Sequence, residues 1–351
     1  MVKKFLAGLG LLIGAALVLV AVFLVRFDIP REELIAKYGQ APSQFLTLPS
    51  GAIAHFRDQG NQEGPAIVLV HGSNASLHTW EPWVAELGTD YRVVSVDMPG
   101  HGLTGPTLAA DYSRAGMVAF LKEFVDAYGL SPKNGSAGFI LGGNSMGGSI
   151  STLYTLEHPQ DVSSLVLVSA SGMPRPADTE VPLGFKLASS PIFSPILLYV
   201  TPRSLFEGGL RDVTVPEGFV TEEMVDRYHA LALLEGQRAA LRSRFAVNNK
   251  PEALYERVGN IEHPTLVLWG VHDPLIPVSA AYEYDKRLPN SKLVILEGAG
   301  HLAMEEIPAE SAAAVRQFLT QASAPLEVEI MEVDVPAALP EVQAKEAPAP
   351  N

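Results

Sequence analysis

Cysteine is absent from all 351 residues. Disulfides, thiolate–metal sites and a cysteine nucleophile are thereby excluded together. The compartment is not fixed by this, because exported proteins without disulfides are common in bacteria. Positive charge is scarce. Lys and Arg number 25 against 39 Asp and Glu, a formal net charge of −14. Nucleic-acid binding needs a basic surface that displaces counterions, so that class of partner is set aside. No internal repeat is found, and nothing in the sequence implies a metal or an organic cofactor.

Hydrophobic residues, by contrast, make up 47% of the chain. That supports one large α/β domain with an insertion, or two small domains. Residues 5–25 form a run without charge or proline, preceded by Lys3 and Lys4 and followed by Arg26. About 20 apolar residues suffice to span a bilayer as a helix. A cleavable signal has a shorter apolar region, roughly 7–15 residues, and then a small-residue cleavage site. This run is longer and ends in bulky Phe23, Leu24 and Val25. It reads as an uncleaved signal anchor over 1–26, with a long cleaved signal and a buried core helix as the competing readings. Lys3 and Lys4 favour a cytoplasmic N-terminus, although Arg26, Arg31 and Lys37 oppose them. The expected location is a single-pass membrane protein with its catalytic domain on the non-cytoplasmic side.

Residues 27–43 read as a connector. Residues 44–60 read as a hairpin around Pro49-Ser50-Gly51. Short, β-branched runs follow: "AIVLV", "YRVVSVD", "GFILGG", "SLVLVSA", "TLVLWG" and "KLVILEG". They are not strictly alternating, which suits strands of a parallel sheet buried on both faces. Helical patterns such as "SRAGMVAFLKEFVDAYGL" lie between them, so right-handed β–α crossovers are expected. From 173 to 260 no sheet strand is evident. A structureless loop of that length is improbable, so a helical cap over one end of the sheet is expected. The core then comprises 44–172 and 261–321. Residues 322–351 are rich in Pro, Ala and Glu and read as a disordered acidic tail, though "LEVEIMEVDV" alternates like an edge strand.

The strongest chemical signal is Gly143-Asn144-Ser145-Met146-Gly147, a G-x-S-x-G pattern with a strand before it and a helix after it. Such a turn strains the backbone at the nucleophile, and small neighbours at Gly143 and Gly147 let it close. Ser145 is thus the candidate nucleophile. A serine hydroxyl needs a base. Of nine histidines, His301 is set apart by Gly298 and Gly300 before it at a strand's C-terminal end, where open parallel sheets place their ligands. The imidazole in turn needs an acid to orient it. Asp273 follows another strand, and the chain order Ser145, Asp273, His301 suits this arrangement. After the strand before the insertion the sequence reads Ser169-Ala170-Ser171-Gly172, without a carboxylate. The oxyanion needs two fixed donors. The backbone N–H groups of Met146 and of Ser73, in the loop after "AIVLV", are the candidates. Asp97-Met98-Pro99-Gly100-His101-Gly102 reads as a rigid structural loop.

Taken together, "LVHGSNAS", "VVSVDMPGHGLT", "GNSMGG", "LVLWGVHDPLIP" and "EGAGHLAMEE" resemble the α/β-hydrolase superfamily, from about Phe45 to Gln321. The resemblance implies an α/β-hydrolase fold, a mostly parallel sheet flanked by helices with a helical cap insertion. The superfamily spans esterases, lipases, epoxide hydrolases, dehalogenases and carbon–carbon bond hydrolases, and fold does not decide among them. A serine at the elbow argues against the dehalogenases and epoxide hydrolases, which use aspartate. "GNSMGG" resembles the meta-cleavage-product hydrolases, which cleave carbon–carbon bonds. Those usually carry a Gly-rich oxyanion loop and a tryptophan after the histidine, where this chain has "HGSNAS" and Leu302. The expectation is an esterase- or lipase-like enzyme acting on small apolar carboxylic esters through an acyl-enzyme. The other reading is a carbon–carbon bond hydrolase with the same three residues.

Overall fold

The computed structural model describes residues 25–132, 138–174, 179, 181, 183–247 and 254–322, together with Gly8 and Gly14. The apolar runs assemble into one eight-stranded sheet. Its strands are β1 (Ser43–Thr47), β2 (Ile53–Gly60), β3 (Ala66–Val70), β4 (Arg92–Val96), β5 (Phe139–Asn144), β6 (Val162–Val168), β7 (Thr265–Gly270) and β8 (Ser291–Leu296). The spatial order is β1-β2-β4-β3-β5-β6-β7-β8. β2 runs antiparallel to both β1 and β4. Every other pairing is parallel.

Side chains alternate across each strand, and both faces are buried. Val68, Val70, Leu141, Leu165, Leu167, Val267 and Trp269 lie in one core cluster, while Ile67, Leu69, Ile140, Val166, Leu266 and Leu268 lie in the other. The first face is covered by α3 (Arg114–Tyr128), α4 (Met146–Glu157) and α9 (Ser279–Arg287). The second is covered by α2 (Glu81–Leu87), the short α10 (Ala303–Glu306) and α11 (Pro308–Ala322). α3 shows why the sequence folds this way. Ser113 caps it by accepting the Gly116 N–H, its apolar residues recur at helical spacing, and Gly129 ends it in a left-handed conformation, φ 77°. β8 departs from two-faced burial. It is an edge strand and only half-buried along its whole length, and the opposite edge strand, β1, is likewise half-buried or exposed throughout.

Between β6 and β7 the described chain is helical: α5 (Leu183–Ser189), α6 (Arg203–Val213), α7 (Glu222–Ala232) and α8 (Gln237–Ala246). The stretch "TEEMVDRYHALALLEGQRAALRSRF" is split into α7 and α8 by Gly236, whose φ of 77° a helix interior does not admit. Residues 27–43, read as a connector, include the helix α1 (Arg31–Tyr38). Its acids stand in the first turn and Lys37 in the last, which favours the dipole. Only Leu34 is buried, in a small cluster with Leu103, Leu231 and Leu234 that ties α1 to the cap.

Among the described residues no helix is long and apolar enough to cross a membrane. The anchor expected over residues 5–25 lies, apart from Gly8, Gly14 and Val25, outside the described residues, as does the tail beyond Ala322.

Candidate active site

β5 ends at Asn144 and α4 begins at Met146, so Ser145 is the whole of the turn between them. Its φ of 54° and ψ of −116° fall where non-glycine residues rarely sit. Such a conformation costs about 1–3 kcal/mol and persists only when the surroundings over-determine it. They do so here. The Ser145 N–H donates to the Val168 carbonyl at 3.0 Å, and its own carbonyl accepts the Ser171 N–H at 2.9 Å and the Ser171 hydroxyl at 3.1 Å. The two glycines are steric requirements. A Cβ on Gly147 would land on the carbonyl oxygens of Val70 and His71, and one on Gly143 would land on the Gly147 backbone.

His301 follows β8 and Gly300 and is 4% exposed. Its Nδ1 lies 2.7 Å from Oδ2 of Asp273. Asp273 sits just after β7, and its Oδ1 accepts the N–H groups of Leu275 and Ile276, both at 2.9 Å. The carboxylate is therefore fixed before it meets the imidazole. With Nδ1 committed to Asp273, Nε2 is the nitrogen left to face a hydroxyl. Ser145 and His301 both line one narrow cavity of about 140 Å³. Its remaining wall is largely apolar and comes from the cap, including Phe185, Leu205, Phe206 and Leu210.

Two further residues hold the histidine loop, and the sequence reading assigned neither. Glu306 accepts the N–H groups of Gly300 at 3.0 Å, Leu302 at 2.8 Å and Val215 at 2.8 Å. Asn144 donates from Nδ2 to the His301 carbonyl at 3.1 Å. The His301 N–H donates to the carbonyl of Val213 at 2.8 Å, joining the loop to the end of α6. The acid pair "EE", four and five residues past His301, was the available signal for Glu306.

Ser73 lies in the loop after β3, and Met146 opens α4. Among the described residues neither backbone N–H donates to another group. A donor without an acceptor beside Ser145 is what a developing oxyanion requires. Ser73 lines the narrow cavity, and both Ser73 and Met146 line a second, larger cavity of about 670 Å³ that also reaches Ser145. Gly72 permits this approach, since a Cβ there would stand 2.7 Å from Oδ1 of Asn144.

The Asp97 loop lies beneath the site. Asp97 is fully buried and accepts from His55 Nδ1 at 2.6 Å, Leu77 N–H at 2.7 Å and Leu103 N–H at 2.7 Å. Burial alone would push its carboxyl up, but His55, with His71 and His78 nearby, holds it well below the usual carboxylate range. His71 is buried, and burial lowers its pKa. As a neutral ring it donates from Nδ1 to the Gly72 carbonyl at 2.7 Å and accepts the Met98 N–H at Nε2 at 3.0 Å. Both contacts brace the loop that carries Ser73. Among the described residues no three His, Asp or Glu side chains gather where a metal ion could sit.

The profile of the family described as alpha/beta hydrolase fold matches residues 65–308. The chain belongs to that family and is a hydrolase. Monoacylglycerol lipase ABHD6 of Homo sapiens is 30% identical over 274 residues, covering 73% of this chain and 75% of its own. Lipase 1 of Psychrobacter immobilis is 26% identical over 276 residues, covering 78% and 82%. Among solved structures, a bacterial membrane phospholipase A superposes with a TM-score of 0.69 at 26% identity, covering 92% of this chain and 100% of that one.

Proposed function

We propose that this protein hydrolyses apolar carboxylic esters, lipid esters among them, through an acyl-enzyme on Ser145. The observation that carries the reading is the Asp273–His301 pair, hydrogen-bonded at 2.7 Å on the wall of the cavity into which the strained Ser145 opens. His301 Nε2 takes the Ser145 proton as Oγ attacks the ester carbonyl, while Asp273 fixes the tautomer and stabilises the imidazolium. The Ser73 and Met146 N–H groups hold the oxyanion. The tetrahedral species collapses, His301 protonates the leaving alcohol, and water repeats the sequence on the acyl-enzyme. The relatives named as lipases support an ester substrate. The narrow apolar cavity under the cap supports an acyl chain of short to medium length. The reading is tested with chromogenic esters of graded acyl length against a vinylogous diketone acid. Faster turnover of the diketone by more than about tenfold, or about 1.4 kcal/mol, would hand the reading to carbon–carbon cleavage.

The reading extends to a membrane anchor over residues 5–25, with the catalytic domain on the non-cytoplasmic side. The anchor, though not its sidedness, is supported by where that run meets the folded chain. Val25 bridges to Val200, and the Arg26 N–H donates to the Tyr199 carbonyl at 2.8 Å, both on the cap. From Leu183 to Val200 the only charged residue is Lys186. Phe27, Ile192 and Tyr199 are 85%, 74% and 63% exposed in this neighbourhood. Such apolar exposure beside a candidate anchor suits a lipid surface better than water.

A further inference from the structure

Two cavities meet at Ser145, and they differ in chemistry. The narrow one is walled mostly by apolar cap side chains, with Arg238 and Arg242 also on its wall. The larger, of about 670 Å³, carries two arginines, Arg114 and Arg244, and no Asp or Glu among its described lining residues. A cationic wall is unexpected inside a chain of net charge −14. Three other arginines of the cap have carboxylate partners, which Arg244 lacks among the described residues. Arg203 pairs with Asp226 and Glu222, Arg211 pairs with Glu207, and Arg238 pairs with Asp28.

Arg244 stands at the end of α8. It donates from Nη2 to the Ser73 hydroxyl and lies over the Phe245 ring, 4.4 Å from its centroid. Its Nε is buried without a hydrogen-bond partner. Burial pushes its pKa down to about 10, and among the described residues no carboxylate counters that shift. A guanidinium taken out of water without a counter-charge is costly, and such groups are retained where a ligand supplies the charge. The fork of N–H donors fits phosphate or carboxylate oxygens with two parallel bonds.

The geometry points to an oxyanion subsite in the larger cavity, where Arg244 holds a phosphate or carboxylate borne by the alcohol half of the ester. This rests on the ester reading above and extends it to the leaving group. The acyl chain occupies the narrow cavity, the scissile carbonyl lies at Ser145, and the alcohol with its anionic group lies in the larger cavity.

The test compares kcat/KM for three butyryl esters on the full chain: of glycerol, of glycerol phosphate and of 3-hydroxypropanoate. The expected result is that Arg244→Gln lowers the ratio of anionic to neutral ester by about 10- to 100-fold, the loss of one charge-assisted pair. Arg244→Lys should retain part of the ratio, and Ser73→Ala, which removes only the hydroxyl contact, should retain all of it. The stronger of the two anionic arms identifies the group. Equal losses on neutral and anionic esters, or an equal loss of the ratio in Ser73→Ala, would reduce Arg244 to a brace for the Ser73 loop and overturn the subsite. Calorimetric titration of inorganic phosphate reads the same site without turnover. Binding about tenfold weaker in Arg244→Gln is expected, and equal binding overturns it. Phosphate binding with no ester turnover would count against the ester reading and for the subsite.

Discussion

Ser145 and Gly147 carry opposite burdens in the same turn. Ser145 tolerates a φ of 54° because its N–H and carbonyl are both held by β6 and the loop after it. Gly147 has no such latitude for a side chain. Gly147→Ala should lose both stability and ester hydrolysis, as its Cβ would meet the Val70 and His71 carbonyls, with a Tm drop of several degrees by thermal unfolding. Asp273→Asn should keep the fold and lower kcat by about 10⁴, since the amide favours the wrong imidazole tautomer. Glu306 works differently, through three backbone N–H groups of the histidine loop and its neighbour. Glu306→Ala leaves those donors unpaired, so both Tm and kcat should fall, kcat by roughly tenfold or more. Retained kcat with lowered Tm would make Glu306 purely structural. Ser145, Asp273 and His301 were legible because their glycines, strand ends and order form a pattern along the chain. Glu306 and Arg244 were not. A carboxylate that serves backbone donors, or an arginine notable for lacking a carboxylate partner among the described residues, leaves no spacing to read.

The elements divide into a scaffold and a cap. The scaffold strands were legible because β-branched runs buried on both faces look alike at any position in a parallel sheet. α1 was missed because it buries one residue, Leu34, and so shows no apolar stripe. Substitutions in the cap should alter substrate choice more than chemistry. Leu205 lines the narrow cavity from α6. Leu205→Trp should shift preference toward shorter acyl chains, lowering the octanoate-to-butyrate ratio of kcat/KM by about tenfold, and an equal loss on both would contradict that. The segments after β3 and β4 carry a pH signature. Burial pushes His78 down to about 4, lowers His71 and takes His101 well below the ordinary range. These rings stay neutral in the fold while the unfolded chain binds protons below about pH 6.5. Stability is therefore full above that pH and is lost as pH falls towards 4, by about 2 kcal/mol at pH 5 for His78 alone. Glu305, whose carboxyl burial pushes up, works in the opposite sense over part of this window. Asp97 does not titrate there, being held below it. Thermal unfolding at pH 7.5 and pH 5 should show a lower Tm at pH 5. An equal Tm would mean that these rings are charged or exposed in solution.

The whole molecule joins an acidic catalytic domain to a long apolar N-terminal run, and the junction is built into the cap. Asp28 pairs with Arg238, which donates to Thr201 and lines the narrow cavity. Cell fractionation with N-terminal sequencing should find the full chain in the membrane fraction with residues 5–25 retained. A soluble chain starting after Arg26 would mean a cleaved signal. The attachment of Val25 and Arg26 to Val200 and Tyr199 was not legible in the sequence, because backbone pairing between segments so far apart leaves no trace in composition. At this scale everything rests on one covalent bond, the acyl-enzyme on Ser145. Labelling the full chain with a fluorophosphonate, followed by peptide mass spectrometry, measures it directly. One adduct on the peptide containing Ser145 is expected, abolished in Ser145→Ala and slowed by orders of magnitude in His301→Ala. An adduct on another residue, or ester hydrolysis undiminished in Ser145→Ala, would contradict the account.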